Sequence, residues 1–275
     1  MLGASWLATI AAVVAVLVAG PAASGSNGEP VAPRTPSQSE PREASEPAPP
    51  IEAVGDHFTD AAPVVATRSL PQRFEPHVLV RVPRPLAARA RPSDGARVVG
   101  TVVASSKYYH VPLVVWAEKV SSDGRWGLVE IPYVWPRREG WVKLGGLRRS
   151  STALEVRIDL SRRRVTVYRR SEPVFGFRAA IGAPVSPTPP GDYVVTDRIP
   201  FARGGYLGSF AFGISGIQPN LPPGWSGGNQ LAIHGTNDPS SIGRSVSAGC
   251  LRVSEAAITR LKPLLQLGTP VLITR

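Results

Sequence analysis

The chain has 275 residues, 43% of them apolar and 19% charged, enough for one or two domains with buried cores. Its 27 glycines and 29 prolines are about a fifth of all positions, against about 12% in ordinary usage, and exclude an all-helical protein. The formal net charge is +11, but residues 1–60 hold two arginines against seven acids, so the remainder carries +16. A basic globular part suits an anionic partner: nucleic acid, anionic lipid or an acidic cell-surface polymer. Cys250 is the single cysteine, which excludes an intrachain disulfide and Cys-rich zinc sites.

Met1 to Gly28 carries no charged side chain, and the apolar run Leu7–Val18 has the length of a signal-peptide core. Small residues follow at Ala19, Gly20, Ala22, Ala23 and Ser24. No Lys or Arg precedes the run, and Met1–Gly20 is nearly long enough to span a bilayer. Residues 1–24 are therefore expected to be an export segment, either a cleaved signal peptide or an uncleaved anchor, and the protein is expected to be exported. Residues 25–72 turn to Pro, Ser, Ala and Glu, a composition that cannot offset its ordering entropy and reads as an extended spacer.

From 75 to 148, short apolar stretches (Val78–Val82, Arg97–Val103, Val111–Ala117, Gly127–Ile131, Gly140–Leu144) alternate with turn signals such as Pro92-Ser93-Asp94-Gly95 and Ser122-Asp123-Gly124. That spacing predicts a small all-β barrel. The order V-P-L-V-V-W, G-R-W-G-L-V and a closing E-G-W-V resembles bacterial SH3-like domains of cell-wall enzymes. Trp116, Trp126, Trp135 and Trp141 are candidates for a ligand groove or for the barrel core.

From 152 to 275 a second domain is expected, mainly β. Val156–Leu160 and Val165–Tyr168 form a hairpin with Arg162, Arg163 and Arg164 at its tip. Val174–Ile181 and Asp192–Asp197 read as strands on either side of a rigid S-P-T-P-P-G loop. Ser254 caps a short C-terminal helix running to about Leu267, Gly268 ends it, and Pro270–Thr274 is a last strand.

The chemistry sits between. Gln230–Ile233 reads as a buried strand ending at His234-Gly235-Thr236-Asn237-Asp238-Pro239, and Ser245-Val246-Ser247-Ala248-Gly249-Cys250-Leu251-Arg252 follows. This region holds the only cysteine and, sixteen positions upstream, the domain's only histidine. Thiol acyl transfer needs a base for a thiol of pKa about 8.5, donors for an oxyanion and a group that fixes the imidazole tautomer. His234 is the local base, and the imidazolium it becomes would hold the thiolate. The backbone N–H groups of Gly249, Cys250 and Ala248 are the candidate oxyanion donors, and a carbonyl at Gly235 is the candidate orienting group.

The segments I-H-G-T-N-D-P-x-x-I-G and V-S-x-G-C-L-R closely resemble the catalytic signature of the L,D-transpeptidases of bacterial peptidoglycan, the YkuD-type domain. The likeness runs over about 120 residues and includes the leading hairpin, the T-P-P-G-D-Y loop and the ending L-G-T-P-V-L-I. The resemblance implies a mainly β catalytic fold without metal or cofactor. It also implies that Cys250 attacks a diaminopimelate carbonyl in a tetrapeptide stem, releasing D-alanine, and that an amine of a second stem resolves the thioester. Acylation of the cysteine by carbapenems is implied too. Arg252, Ser247 and Thr236 become candidate substrate-binding residues. Many family members have His where this chain has Ala248.

Three alternatives have less support. In papain-like wall peptidases the Cys precedes the His, and sortases carry a different strand before the Cys. A catalytically silent wall-binding protein is favoured only by Ala248. L,D-carboxypeptidation remains open, since water and amine attack the same thioester. The expected partners are peptidoglycan stem peptides and an anionic wall polymer. No nucleic acid is expected, and a membrane only through the N-terminal segment.

Overall fold

The computed structural model describes residues 74–275; the expected export segment and Pro-rich linker lie outside the described residues. The first strands in chain order are β1 (His77–Arg81), β2 (Leu86–Arg89), β3 (Val98–Val102), β4 (Val114–Val120), β5 (Trp126–Glu130), β6 (Glu139–Lys143) and β7 (Arg149–Thr152). They make one antiparallel sheet in the order β3-β2-β6-β5-β4-β1-β7. Val80, Ala88, Val102, Leu113, Val129 and Val142 are its fully buried centre. Short apolar stretches bounded by turn residues supply most of these buried positions, and β2, β4 and β6 alternate buried with more exposed ones. The residues of β2 carry no strand signal of their own: L-A-A-R has neither β-branched nor aromatic residues, and its partners impose the strand. Of the tryptophans, Trp126 is core and Trp135 is exposed.

The second set is β8 (Leu154–Asp159), β9 (Arg164–Arg169), β10 (Glu172–Arg178), β11 (Ile181–Gly182), β12 (Gly191–Pro200), β13 (Phe210–Ile217), β14 (Gln230–His234), β15 (Ser245–Ser247), β16 (Leu251–Arg252), the helix α1 (Glu255–Leu261) and β17 (Pro270–Thr274). Eight of them form a sheet ordered β10-β9-β8-β17-β12-β13-β14-β16, while β11 and β15 pair separately. The protein is mainly β, as expected. β8 and β9 form the hairpin, with Arg162 tied to Asp159 at its exposed tip. The C-terminal β17 inserts between β8, to which it is parallel, and β12, to which it is antiparallel. Val156, Ile158, Phe212, Ile214, Leu231, Ile233 and Ile258 lie in the core beneath.

Ser254 caps α1, its hydroxyl accepting from Ala257 N–H at 3.2 Å. The helix ends at Leu261 rather than near Leu267, because Pro263 follows without an N–H to continue the ladder.

The two sheets meet along a polar seam. Tyr133 N–H donates to Ser215 O at 2.8 Å, and the Ser215 hydroxyl bonds the buried Glu130 carboxyl. Arg137 reaches Glu118 at 2.6 Å, Glu139, and the Asp192 carbonyl at 2.9 Å. Burial pushes the Glu130 carboxyl up to about 8 against the opposing Ser215 bond, and that of Glu118 up to about 7 against Arg137.

Candidate active site

A cavity of about 480 Å³ opens over β13 and β14. Successive residues of a strand face opposite sides, so Leu231 and Ile233 go into the core while Gln230, Ala232 and His234 face the cavity. Cys250 enters from the loop between β15 and β16. Because β16 runs parallel to β14, with Ile233 opposite Leu251, the residue before Leu251 is laid beside Ala232. Cys250 Sγ lies 3.9 Å from Gln230 O, and both Cys250 and His234 line the cavity.

His234 is buried, and its Nδ1 lies 2.6 Å from Gly235 O. A carbonyl offers only lone pairs, so Nδ1 carries the hydrogen and Nε2 keeps its lone pair free. Burial pushes the imidazole down to about 4, the Gly235 bond opposes this, and the Arg252 charge adds to it. Burial also pushes the Cys250 thiol up, partly offset by the Ala232 N–H and Arg252. Burial thus works against charge on both groups, the enclosed His234 imidazole and the half-buried Cys250 thiol, and so disfavours at rest the expected thiolate held by imidazolium.

Gly249 has φ of +113°, and a Cβ there would meet Gln218 Nε2 at 2.3 Å, so both backbone and space require glycine. Gln218 is itself fixed, donating to Pro187 O at 2.9 Å and accepting from Asn220 N–H at 2.9 Å. Thr188 Oγ1 donates to Gly249 O at 2.8 Å and accepts from Gly182 N–H at 2.9 Å. The S-P-T-P-P-G loop thus clamps the turn that presents Cys250. Ser247 Oγ donates to Cys250 O at 2.6 Å and accepts from Gly249 N–H at 3.1 Å.

The contacts in and around this turn revise four expectations. The Gly249 N–H is engaged by Ser247, which leaves Ala248 and Cys250 as the loop's candidate oxyanion donors. Ser247 spends its hydroxyl on the turn and not on a substrate. Thr236 is buried, and its Oγ1 accepts from Asp238 N–H at 3.1 Å within its own loop, away from the cavity lining. Arg252 does not line the cavity either: its guanidinium lies 4.8 Å from the Tyr206 ring centroid and donates to the Tyr206 hydroxyl. Tyr206 packs 6.0 Å, centroid to centroid, from the His234 ring.

The sequence reading passed over Tyr206, Thr188, Gln218 and the wall supplied by the first sheet. Tyr108 and Tyr109, from the loop before β4, line the cavity. Lys107 Nζ donates to Asn229 Oδ1 at 2.7 Å, and Asn229 N–H donates to the Tyr108 hydroxyl at 3.2 Å. Among the described residues no cluster of His, Cys, Asp and Glu could hold a metal ion.

A sequence model of the YkuD L,D-transpeptidase catalytic domain matches residues 154–273. A Bacillus licheniformis protein named provisionally as the L,D-transpeptidase YkuD is 32% identical over 130 residues, 47% of this chain and 71% of that protein. The chain belongs to the YkuD family of L,D-transpeptidase catalytic domains. Its likeness to the Bacillus subtilis protein provisionally named YkuD is 31% over 96 residues, 35% of this chain and 51% of that one. A solved L,D-transpeptidase from Mycobacterium smegmatis is 16% identical, with a TM-score of 0.38, over 59% of this chain and 89% of that one. The family match begins at β8, so the sheet β1–β7 lies outside it.

Proposed function

We propose that the protein is a peptidoglycan L,D-transpeptidase working by cysteine acyl transfer outside the cytoplasmic membrane. The observation that carries this is the convergence of Cys250 and His234 in one cavity, with His234 Nδ1 held by Gly235 O. With both groups neutral at rest, the thiol proton passes to His234 Nε2 as Sγ attacks the stem carbonyl next to the terminal D-alanine. The Cys250 and Ala248 amides are the donors for the oxyanion. Collapse breaks the C–N bond, and the imidazolium returns the proton to the departing D-alanine amine. The amine of a second stem then attacks the thioester and loses its proton to His234, and the departing sulfur regains a proton. The export segment at 1–24 and the SH3-like reading of 75–148 belong to this proposal and place the enzyme at the wall, where a +16 globular part meets an anionic polymer.

The test is mass spectrometry of a disaccharide-tetrapeptide incubated with the protein and with its Cys250→Ala variant. Release of D-alanine by the unaltered protein alone supports the reading. Cross-linked dimers then identify a transpeptidase, and tripeptide alone a carboxypeptidase. An unchanged donor refutes it.

A further inference from the structure

The cavity lining contains no carboxylate, yet a buried one lies directly behind it. Asp197 on β12 sits opposite Gly213 on β13, and Gly213 sits opposite Ala232 on β14. Asp197 and Gln230 therefore stand on strands two apart, roughly 10 Å at ordinary strand spacing. Their side chains nevertheless meet, Gln230 Nε2 donating to Asp197 Oδ2 at 2.8 Å. They do so across Gly213, where a Cβ would lie 2.6 Å from both of those atoms. Consecutive strand residues ordinarily face opposite ways, but a register shift between Val195 and Asp197 turns Thr196 and Asp197 toward the same amide. Gln230 Nε2 also lies 3.0 Å from Thr196 Oγ1 and 3.2 Å from Ile214 O, and Thr196 Oγ1 donates to Asp197 Oδ2 at 2.7 Å.

A carboxylate and a main-chain carbonyl can only accept, so the nitrogen of the Gln230 amide must face them. The amide cannot turn over without placing oxygen against oxygen. Its own oxygen, Oε1, is left for the cavity that Gln230 lines, on the residue whose main-chain carbonyl lies 3.9 Å from Cys250 Sγ.

We propose that Gln230 Oε1 is a substrate-binding acceptor, receiving an N–H of the stem peptide beside the scissile carbonyl, and that Asp197 is the positioning residue that holds it in that sense. This rests on the function proposed above. It assigns to the floor of the cavity a recognition element that neither the Cys–His pair nor the nucleophile turn supplies. Substrates whose N–H is replaced by an ester oxygen at that point lose the contact.

The experiment measures D-alanine release and, separately, alkylation of Cys250 by iodoacetamide. Gln230→Met keeps the size and removes the acceptor; KM for the tetrapeptide stem rises about tenfold, while kcat and the alkylation rate stay within about twofold. Asp197→Asn raises KM in the parent protein but produces no further rise in the Gln230→Met background, because its effect passes through Gln230. An unchanged KM in Gln230→Met, or additive effects of the two substitutions, overturns the proposal. Equilibrium binding of the same stem to the Cys250→Ala protein, with and without Gln230→Met, reads the contact without turnover. Failure of the catalytic reading is thereby told apart from failure of this one: equal binding by the two proteins overturns the contact, and weaker binding with Gln230→Met supports it.

Discussion

Replacing Glu130 by glutamine should stabilise the protein at neutral pH, although it alters a buried residue at the seam between the sheets. Glu130 is almost fully enclosed, and its carboxyl is pushed up to about 8 from an ordinary 4.5, burial being the largest cause. The folded chain thus holds a neutral carboxyl at pH 7 where the unfolded chain holds a carboxylate. A folded pKa above the unfolded one contributes stability that is complete below about pH 4.5 and lost as pH rises towards 8. Between pH 4.5 and 7 the loss is about 3 kcal/mol, at about 1.4 kcal/mol per pH unit. Glutamine has the same shape, stays neutral throughout and can still accept from the Ser215 hydroxyl. Urea unfolding of both proteins at pH 5, 6, 7 and 8 is the assay. His234 titrates alike in the two and cancels in the difference. The variant's advantage should be small at pH 5 and grow by about 1.4 kcal/mol per unit up to pH 8. A difference that does not change with pH, or a loss of stability at every pH, would refute a neutral buried carboxyl at this position.

Other consequences follow from the same geometry. Iodoacetamide should alkylate Cys250 at pH 7 more slowly than it alkylates free cysteine, with a rate that climbs steadily at alkaline pH; a plateau from pH 5 upward would instead reveal a preformed ion pair. With His234 pushed down to about 4, the acid limb of kcat/KM should fall well below the usual histidine range, and an inflection near 6.5 would contradict a buried neutral base. Gly249→Ala should lower kcat/KM at least a hundredfold, since about 1–3 kcal/mol of backbone strain adds to displacement of Gln218; retained activity would show that the turn is not held as described. Tyr109→Ala, in the loop before β4, should raise KM for the stem several-fold with the Cys250 alkylation rate unchanged, and an unaffected KM would remove that loop from substrate binding.

The sequence alone was enough for the local patterns and for the chemistry that residue identity dictates. Apolar stretches between turn signals located most strands of the first sheet, period-two alternation located the β8–β9 hairpin, and a short apolar run located β14. Ser254 announced its helix, and a lone cysteine after Ser-Ala-Gly with one upstream histidine marked a signature whose family the comparisons bear out. Only the tertiary structure decided how the polar groups are spent. Ser247, Thr236 and Gly249 look like site residues in one dimension, but their hydrogen bonds are consumed in holding loops, since a turn's donors and acceptors must be satisfied before any substrate arrives. The charge states of Cys250 and His234 depend on burial, which no spacing encodes. Tyr109 reaches the cavity from the loop before β4, over a hundred residues before Cys250, and Asp197 touches Gln230 only because Gly213 leaves the way clear. Those contacts join residues distant in sequence, and folding alone brings them together.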